Sequence, residues 1–402
     1  LTTFLLIIIY LAFISLGLPD SILGAAWPVM QKDLGAPLES AGLLFMTVAG
    51  GTIISSLVSG SILKRFGTGK VTFVSCLMTA LALVGFQFSP SIVWLVVCAV
   101  PLGLGAGAVD SGLNNYVAAH YKAHHMSWLH SFWGVGATMG PVIMAQFIAG
   151  DLSWRSGYLA IAGIQLALAV ILLMTLPIWS KVKSGPKAKE NELQESTVSG
   201  KVEASKPLQV KGVKLALFTF FFYCSIEAAM GLWGSSFLVN AKGVSPADAA
   251  RWVSLYWGGI TVGRFITGFI TFKVSNLLLI RWGQLIALCG AVLLFMPLPT
   301  VFTLIGFMLV GLGLAPIFPC MLHETPARFG KHHSQSIMGF QMAFAYTGST
   351  FMPPLFGFIA SKTSIGFFPV FALVIAAAML LSSERLNSLL RKKALEKEIK
   401  AV

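Results

Sequence analysis

Four ionisable side chains lie inside long apolar stretches of this chain: Asp20, Asp110, Glu227 and Arg264. Each costs roughly 2.5–3.5 kcal/mol at the middle of a membrane-embedded helix, so such groups are kept for work or are paired. Asp20 shares a helical face with Gly17, Gly24 and Trp27, at spacings of three and four. Asp110 shares one with Gly103, Gly107 and Asn114. Small residues let helices approach, and a carboxylate or amide on the same stripe then faces the bundle interior. A carboxylate removed from water can hold a proton and release it as its surroundings open. Asp20, Asp110 and Glu227 are therefore the candidate proton-coupling residues. The plain alternative is a hydrogen bond between helices.

The elements that must carry these groups are membrane helices. Of 402 residues, 56% are hydrophobic and 11% charged, where a soluble domain has about 25% charged. Mean hydropathy is +0.81. Spans are expected near 4–31, 38–63, 70–89, 91–119, 126–150, 155–179, 212–240, 246–272, 277–295, 300–327, 332–360 and 364–385. No alternating strand pattern occurs, so the expected class is an all-α membrane protein. Phe4–Tyr10 has neither a basic flank nor a small-residue cleavage site and is expected to open the first helix rather than form a signal peptide.

The spans fall into two copies. Gly50, Gly51 and Gly60 recur as Gly258, Gly259 and Gly268, and Gly103-Leu104-Gly105 as Gly311-Leu312-Gly313, each 208 positions later. Pro141 and Pro353 follow 212 positions apart. The expectation is two pseudo-symmetric six-helix bundles, 1–179 and 212–390, joined by a linker at 180–211 and followed by a tail at 391–402. A duplicated bundle points to alternating access across the seam between halves. The linker mixes lysine and glutamate with Ser, Gly and Pro, without apolar periodicity, and is expected to be flexible. The tail should continue the last helix as a mixed-charge anchor at the inner leaflet.

A net charge of +13 could suggest nucleic acid, but its placement excludes that class. With an even span count, 22 Lys/Arg lie on the side of the termini and five opposite, which puts both termini in the cytoplasm of a cell inner (plasma) membrane protein. Cys76, Cys98, Cys224, Cys289 and Cys320 form no CxxC or Cys/His pattern and are read as packing residues. His124-His125 and His332-His333 are assigned to solvated loops. No metal, no cofactor and no nucleophile–base cluster is indicated, so the chain is not read as an enzyme. Its partners are expected to be a small molecule, protons and the bilayer, with the chain acting as a monomer.

At this point the sequence resembles a known family, the major facilitator superfamily. Gly60-Ser-Ile-Leu-Lys64-Arg65-Phe-Gly67-Thr68-Gly-Lys70 is similar to that superfamily's signature between helices two and three, with Lys64 where an Asp is usual and Thr68 where an Arg is usual. Gly263-Arg264-Phe-Ile-Thr-Gly268 is similar to the second-half copy. The resemblance implies a gating role for Gly60, Lys64, Arg65, Gly67 and Arg264. It also implies a weakened latch here, because the loop Asp helps hold the outward-facing state in the superfamily. Gly17-Leu-Pro-Asp20, the run Gly105–Tyr116 around Asp110, and Gly311-Leu-Gly-Leu-Ala-Pro316-Ile-Phe-Pro319 resemble the fucose-permease-like branch of sugar–proton symporters. In that branch the positions of Asp20 and Asp110 are the acidic proton sites, the second usually a Glu. His130 and Trp133 stand where the branch has polar amides.

The resemblance thus implies a proton-coupled secondary transporter, a symporter of a sugar or similar small polar solute. The alternative is a proton-driven exporter of lipophilic compounds: Gly136-Ala-Thr-Met-Gly140-Pro141 resembles the first half of the antiporter motif, although Met144 and Ala145 replace its trailing glycines. Candidate substrate contacts are the mid-span residues Trp27, Asn114, His130, Trp133, Tyr223, Glu227, Gln341 and Tyr346. Aromatic faces beside amides and carboxylates suit a sugar, whose C–H surfaces stack while its hydroxyls bond. Trp257 and Trp282, nearer span ends, are assigned to the interfacial belts. Pro316 and Pro319 are expected to bend the tenth helix.

Overall fold

A computed structural model describes residues 2–121, 123–150, 152–179, 207–271 and 273–401. Among them all regular structure is helical, as expected. The helices are α1 (Thr2–Asp33), α2 (Ser40–Phe66), α3 (Thr68–Gln87), α4 (Ile92–His120), α5 (Ala123–Ala149), α6 (Trp154–Trp179), α7 (Val213–Lys242), α8 (Pro246–Ile270), α9 (Asn276–Phe295), α10 (two segments, Thr300–Leu314 and Ile317–Phe329), α11 (Lys331–Lys362) and α12 (Phe368–Ala401). The expected linker lies, as far as residue 206, outside the described residues. Ten helices are long and apolar enough to cross a membrane. The remaining two, α8 and α11, have spanning length but are more polar, with Asp248, Arg251 and Arg264 in one and Gln335, Gln341 and several Ser and Thr in the other.

Local chemistry sets the ends and breaks. Pro316 and Pro319 bring no N–H to the helix, so the regular hydrogen bonding of α10 stops at Leu314 and resumes at Ile317, while Ala315 and Pro316 keep right-handed helical dihedrals. Gly67 joins α2 to α3 at φ +79° and Gly330 joins α10 to α11 at φ +88°, a backbone conformation from which a Cβ is largely barred. The α10–α11 junction is the single residue Gly330, and α4 ends at His120 with α5 starting at Ala123, so His125 and His333 fall in the first turns of α5 and α11, not in the solvated loops expected for the histidine pairs.

The chain groups into two compact units, Leu1–Glu203 with Val244–Ser254, and Ala204–Gly243 with Leu255–Val402. In unit 1, α1 packs on α5, α2 on α4, and α3 on α4 and α6. In unit 2, α7 packs on α11 and α12, and α9 on α10 and α12. Glycine sets the closest approaches. A Cβ at Gly136 would stand 2.0 Å from the Ile14 carbonyl oxygen, and one at Gly348 2.3 Å from that of Phe221. One at Gly103 would stand 2.2 Å from the Val48 carbonyl oxygen, and one at Gly311 2.1 Å from that of Tyr256. Ile14 and Phe221 are 207 positions apart, Gly136 and Gly348 212, and the other two pairs 208. The duplication read from the sequence is therefore repeated in these two helix contacts. Gly50, Gly60 and Gly268, by contrast, face open space and mark no seam.

Polar ties fasten several helix pairs. The buried Gln165 accepts from Thr79 Oγ1 (2.8 Å) and donates to the Ser15 carbonyl (2.9 Å), fastening α6 to α3 and α1. The Trp233 ring occupies the notch at Gly357, and its indole N–H donates to the Pro353 carbonyl at 2.8 Å, which ties α7 to α11. Asp33, at the end of α1, pairs with Arg155 and accepts from Trp154 Nε1 (3.0 Å), while Arg155 also reaches the Ser89 carbonyl (3.0 Å). A group left unpartnered in such an interior costs about 1–3 kcal/mol, so the two bonds of the Gln165 amide favour the packing of all three helices.

Candidate functional site

In unit 1, Asp20 lies past the middle of α1 and is exposed, although Leu18, Pro19, Ser21 and Ile22 around it are buried. A carboxylate at that depth is not left against lipid, so this face of the unit is wetted. Gly17, one turn earlier, lets α5 come close: a Cβ there would meet the Trp133 carbonyl oxygen at 2.1 Å. That approach brings the Trp133 indole to Asp20, where Nε1 donates to Oδ2 at 2.8 Å. His130, one turn before Trp133, is exposed and meets the Phe13 ring edge-on at 5.9 Å. On α4, Asn114 Nδ2 donates to Asp110 Oδ1 at 2.9 Å, one turn apart on the half-buried stripe. Gly103 and Gly107 of that stripe press on α2, the latter with a Cβ position 2.3 Å from the Thr52 carbonyl oxygen. Neither carboxylate forms an ion pair among the described residues.

Unit 2 holds a different arrangement. Glu227 Oε1 accepts from Tyr223 Oη at 2.8 Å and from Arg264 Nη2 at 3.0 Å, and Arg264 Nη2 also reaches the Tyr223 oxygen at 3.2 Å. Tyr256 Oη fixes the same turn of α7 by donating to the Glu227 carbonyl at 3.0 Å. The Glu227 and Arg264 side chains are each 18% exposed. An ion pair this enclosed resists disruption, because removing one partner leaves a buried charge at a cost of about 3–5 kcal/mol.

The other sequence candidates are spread more widely. Trp27 is fully buried in the α1 core with its indole N–H unpartnered. Gln341 is buried and accepts from Thr325 Oγ1 at 3.0 Å, a tie between α10 and α11. Tyr346 is exposed on α11. Lys64 and Arg65 are exposed at the end of α2, with the Arg65 guanidinium over the Phe66 ring. Trp282 is exposed, as a belt residue should be, but Trp257 is not: its ring packs into the notch at Gly231, and burial there removes it from the interfacial belt. Two partners escaped sequence reasoning. The Trp133–Asp20 bond joins residues 113 positions apart, and Tyr256 acts on a backbone carbonyl, so neither leaves a local pattern.

The comparisons with known proteins agree with this architecture. A family model described as Major Facilitator Superfamily matches residues 9–353. The glucose/mannose transporter GlcP of Bacillus subtilis is 24% identical, over 91% of this chain and 91% of its own length. A glucose/galactose transporter of Brucella abortus is 26% identical, over 79% of this chain and 78% of its own. Among solved structures, a D-xylose–proton symporter superposes with a TM-score of 0.73 at 15% identity, covering 95% of this chain and 96% of that one.

Proposed function

Because the chain belongs to the Major Facilitator Superfamily, we propose that it is a proton-coupled symporter of a sugar or similar small polar solute, working by alternating access between its two halves. The observation that carries this reading is the pair Asp20 and Asp110: two carboxylates in one unit whose described hydrogen-bond partners are neutral, an indole and an amide. A proton on either removes the charge that opposes closure of the site. Trp133 and His130 beside them offer aromatic faces, and Asn114 an amide, as a sugar requires. The sugar transporters among the relatives favour the same substrate class.

The exporter reading has less behind it. Gly136 and Gly140, which suggested it, press against the Ile14 and Leu18 carbonyls, so packing of α5 on α1 accounts for their presence. The deciding experiment is uptake of radiolabelled glucose, galactose, mannose, fucose and xylose into proteoliposomes with an inside-alkaline pH gradient. Accumulation of one sugar that collapses with a protonophore is expected. No sugar accumulation, together with proton-driven loss of a lipophilic drug from loaded vesicles, would overturn the symporter in favour of the exporter.

Gating follows from the last turn of α2 and its junction with α3, which in this reading lie on the cytoplasmic side with both termini and the 180–211 linker. Lys64 stands where the superfamily's latch carries an acid, so the outward-facing state has lost one attractive contact. Lys64→Asp is expected to shift the population toward outward-facing. Spin-label distances across the two ends of the protein read that balance, and unchanged distance distributions would refute the role given to Lys64.

A further inference from the structure

The two repeats differ where the third helix of each begins. In unit 1, α3 starts after Gly67, which offers no side-chain cap, so the N–H groups of Thr68, Gly69 and Lys70 have no partner within the helix. In unit 2 the residue 208 positions on is Ser275, whose Oγ accepts from the Leu278 N–H. Its neighbour Asn276 donates to Glu324 Oε1 at 2.9 Å. That helix start is satisfied from inside the protein. The charges differ too. Lys64, Arg65 and Lys70 flank the unit 1 turn, all exposed and none in an ion pair among the described residues. At the same register unit 2 has Phe272, Lys273 and Leu278. Within residues 2–179 no described carboxylate lies at this end: Asp33 and Glu39 are at the other, and Asp20 and Asp110 lie inside helices.

Buried side chains beneath this turn are unpartnered as well. The ring of Trp179, 7% exposed at the end of α6, fills the notch at Gly69. Its Cδ1, the carbon bonded to Nε1, stands 2.9 Å from where a Cβ would be, yet the indole N–H has no acceptor among the described residues. Thr72, one turn on, is fully buried with Oγ1 unpartnered. The Tyr116 ring lies 5.0 Å from that of Trp179, and its hydroxyl is also unpartnered. We propose that the start of α3 binds the phosphate of an anionic phospholipid through its first-turn N–H groups, Lys64, Arg65, Lys70 and the Trp179 indole. Phosphate oxygens accept from these donors, and the phosphate charge suits three cations and the positive end of a helix dipole. The flanking surface favours a lipid over a free anion. Arg65 follows Ile54, Val58 and Ile62 along one exposed face of α2, and Lys70 precedes Val74 and Leu81 along one of α3. Exposed apolar faces of membrane helices meet acyl chains, and basic residues at their ends meet head groups. The site is independent of the solute carried and of its coupling.

The test is lipid binding by the whole purified chain, stripped of lipid in detergent. It is titrated with dioleoylphosphatidylglycerol and, separately, with dioleoylphosphatidylcholine, and native mass spectrometry counts the lipids bound. One phosphatidylglycerol should bind before any other, about tenfold more tightly than phosphatidylcholine. Equal affinity for the two lipids would overturn the proposal. Lys64→Gln, Arg65→Gln and Lys70→Gln should each weaken phosphatidylglycerol binding about fivefold. These side chains are exposed, so their removal leaves the helix packing in place. Charge variants that bind like wild type would overturn the site. A diffuse basic surface would lose affinity in all three, so Trp179→Phe separates it from a built site. The ring still fills the Gly69 notch and no charge changes, but one donor to the phosphate is lost, and affinity should fall about tenfold. Wild-type affinity in Trp179→Phe would leave only a diffuse surface and overturn the site. Inorganic phosphate in large molar excess should fail to displace the lipid. Displacement would assign the turn to a free phosphate and overturn the lipid assignment.

Discussion

Asp110→Asn should abolish uphill accumulation of substrate while sparing exchange at equal pH on the two sides. The amide has the shape of a protonated carboxyl and can still bond Asn114, one turn away, so the stripe of α4 keeps its geometry. What it loses is the choice between charged and neutral. A carrier locked in the neutral form crosses with or without a proton gradient, so the gradient no longer drives it. The expected accumulation ratio is about one, a loss of about tenfold for each proton formerly coupled under a pH gradient of about one unit. Asp20→Asn should impair transport too, and differently, because its Oδ2 takes the Trp133 indole bond and the amide can present either end to that donor. Counterflow of labelled against unlabelled sugar separates the two defects. If both variants still concentrate substrate against its gradient, neither carboxylate couples the proton.

The second large effect is on folding. Gly136→Val and Gly348→Val should each eliminate most folded protein, although neither touches the charged residues. A Cβ at these positions overlaps a backbone carbonyl of the facing helix, of Ile14 and of Phe221, at 2.0 and 2.3 Å. Backbone cannot swing aside as a side chain can, so α1 or α7 would have to move away from its partner along its length. Overpacking of an ordinary core costs about 1–3 kcal/mol, and a forced separation of paired helices sits at or beyond the upper end of that range. The control is Gly339→Val on α11, where a Cβ meets nothing within 4 Å. Fluorescence-detected size exclusion should show a monodisperse peak for the control and little or none for the two seam variants. A monodisperse Gly136→Val would mean that the seam is more compliant than its geometry implies.

Helix type and number were legible because apolar runs of about twenty residues are an unambiguous signal. The repeat was legible because backbone-to-backbone contact demands glycine at both copies, as at Gly103 and Gly311. The same logic misled at Gly60 and Gly268, which recur on schedule yet touch nothing. Spacing alone does not say which face of a helix a glycine serves. The proline pair at 316 and 319 announced a bend, and the regular helix is interrupted there at Ala315 and Pro316, where the prolines supply no donor. At the candidate site, the Tyr223–Glu227 and Asp110–Asn114 bonds were visible as spacings of four. The Arg264 ion pair and the Trp133–Asp20 bond were not, since they depend on which helices neighbour each other. Trp257 shows the same limit, its place being decided by the notch at Gly231 on another helix.

The glycine seams and the junctions at Gly67 and Gly330 also constrain the gene. Every amino acid reachable from a glycine codon by changing one nucleotide carries a Cβ. At Gly67 and Gly330 that atom meets a forbidden backbone conformation, and at Gly103, Gly136, Gly311 and Gly348 it meets a facing carbonyl. Every single-base missense step from these codons adds a Cβ where the backbone conformation or the facing carbonyl leaves it no relaxed place. The seam codons form two sets, 208 to 212 codons apart, and duplication has given the second copy no freedom to relax the first. Each half must keep its own.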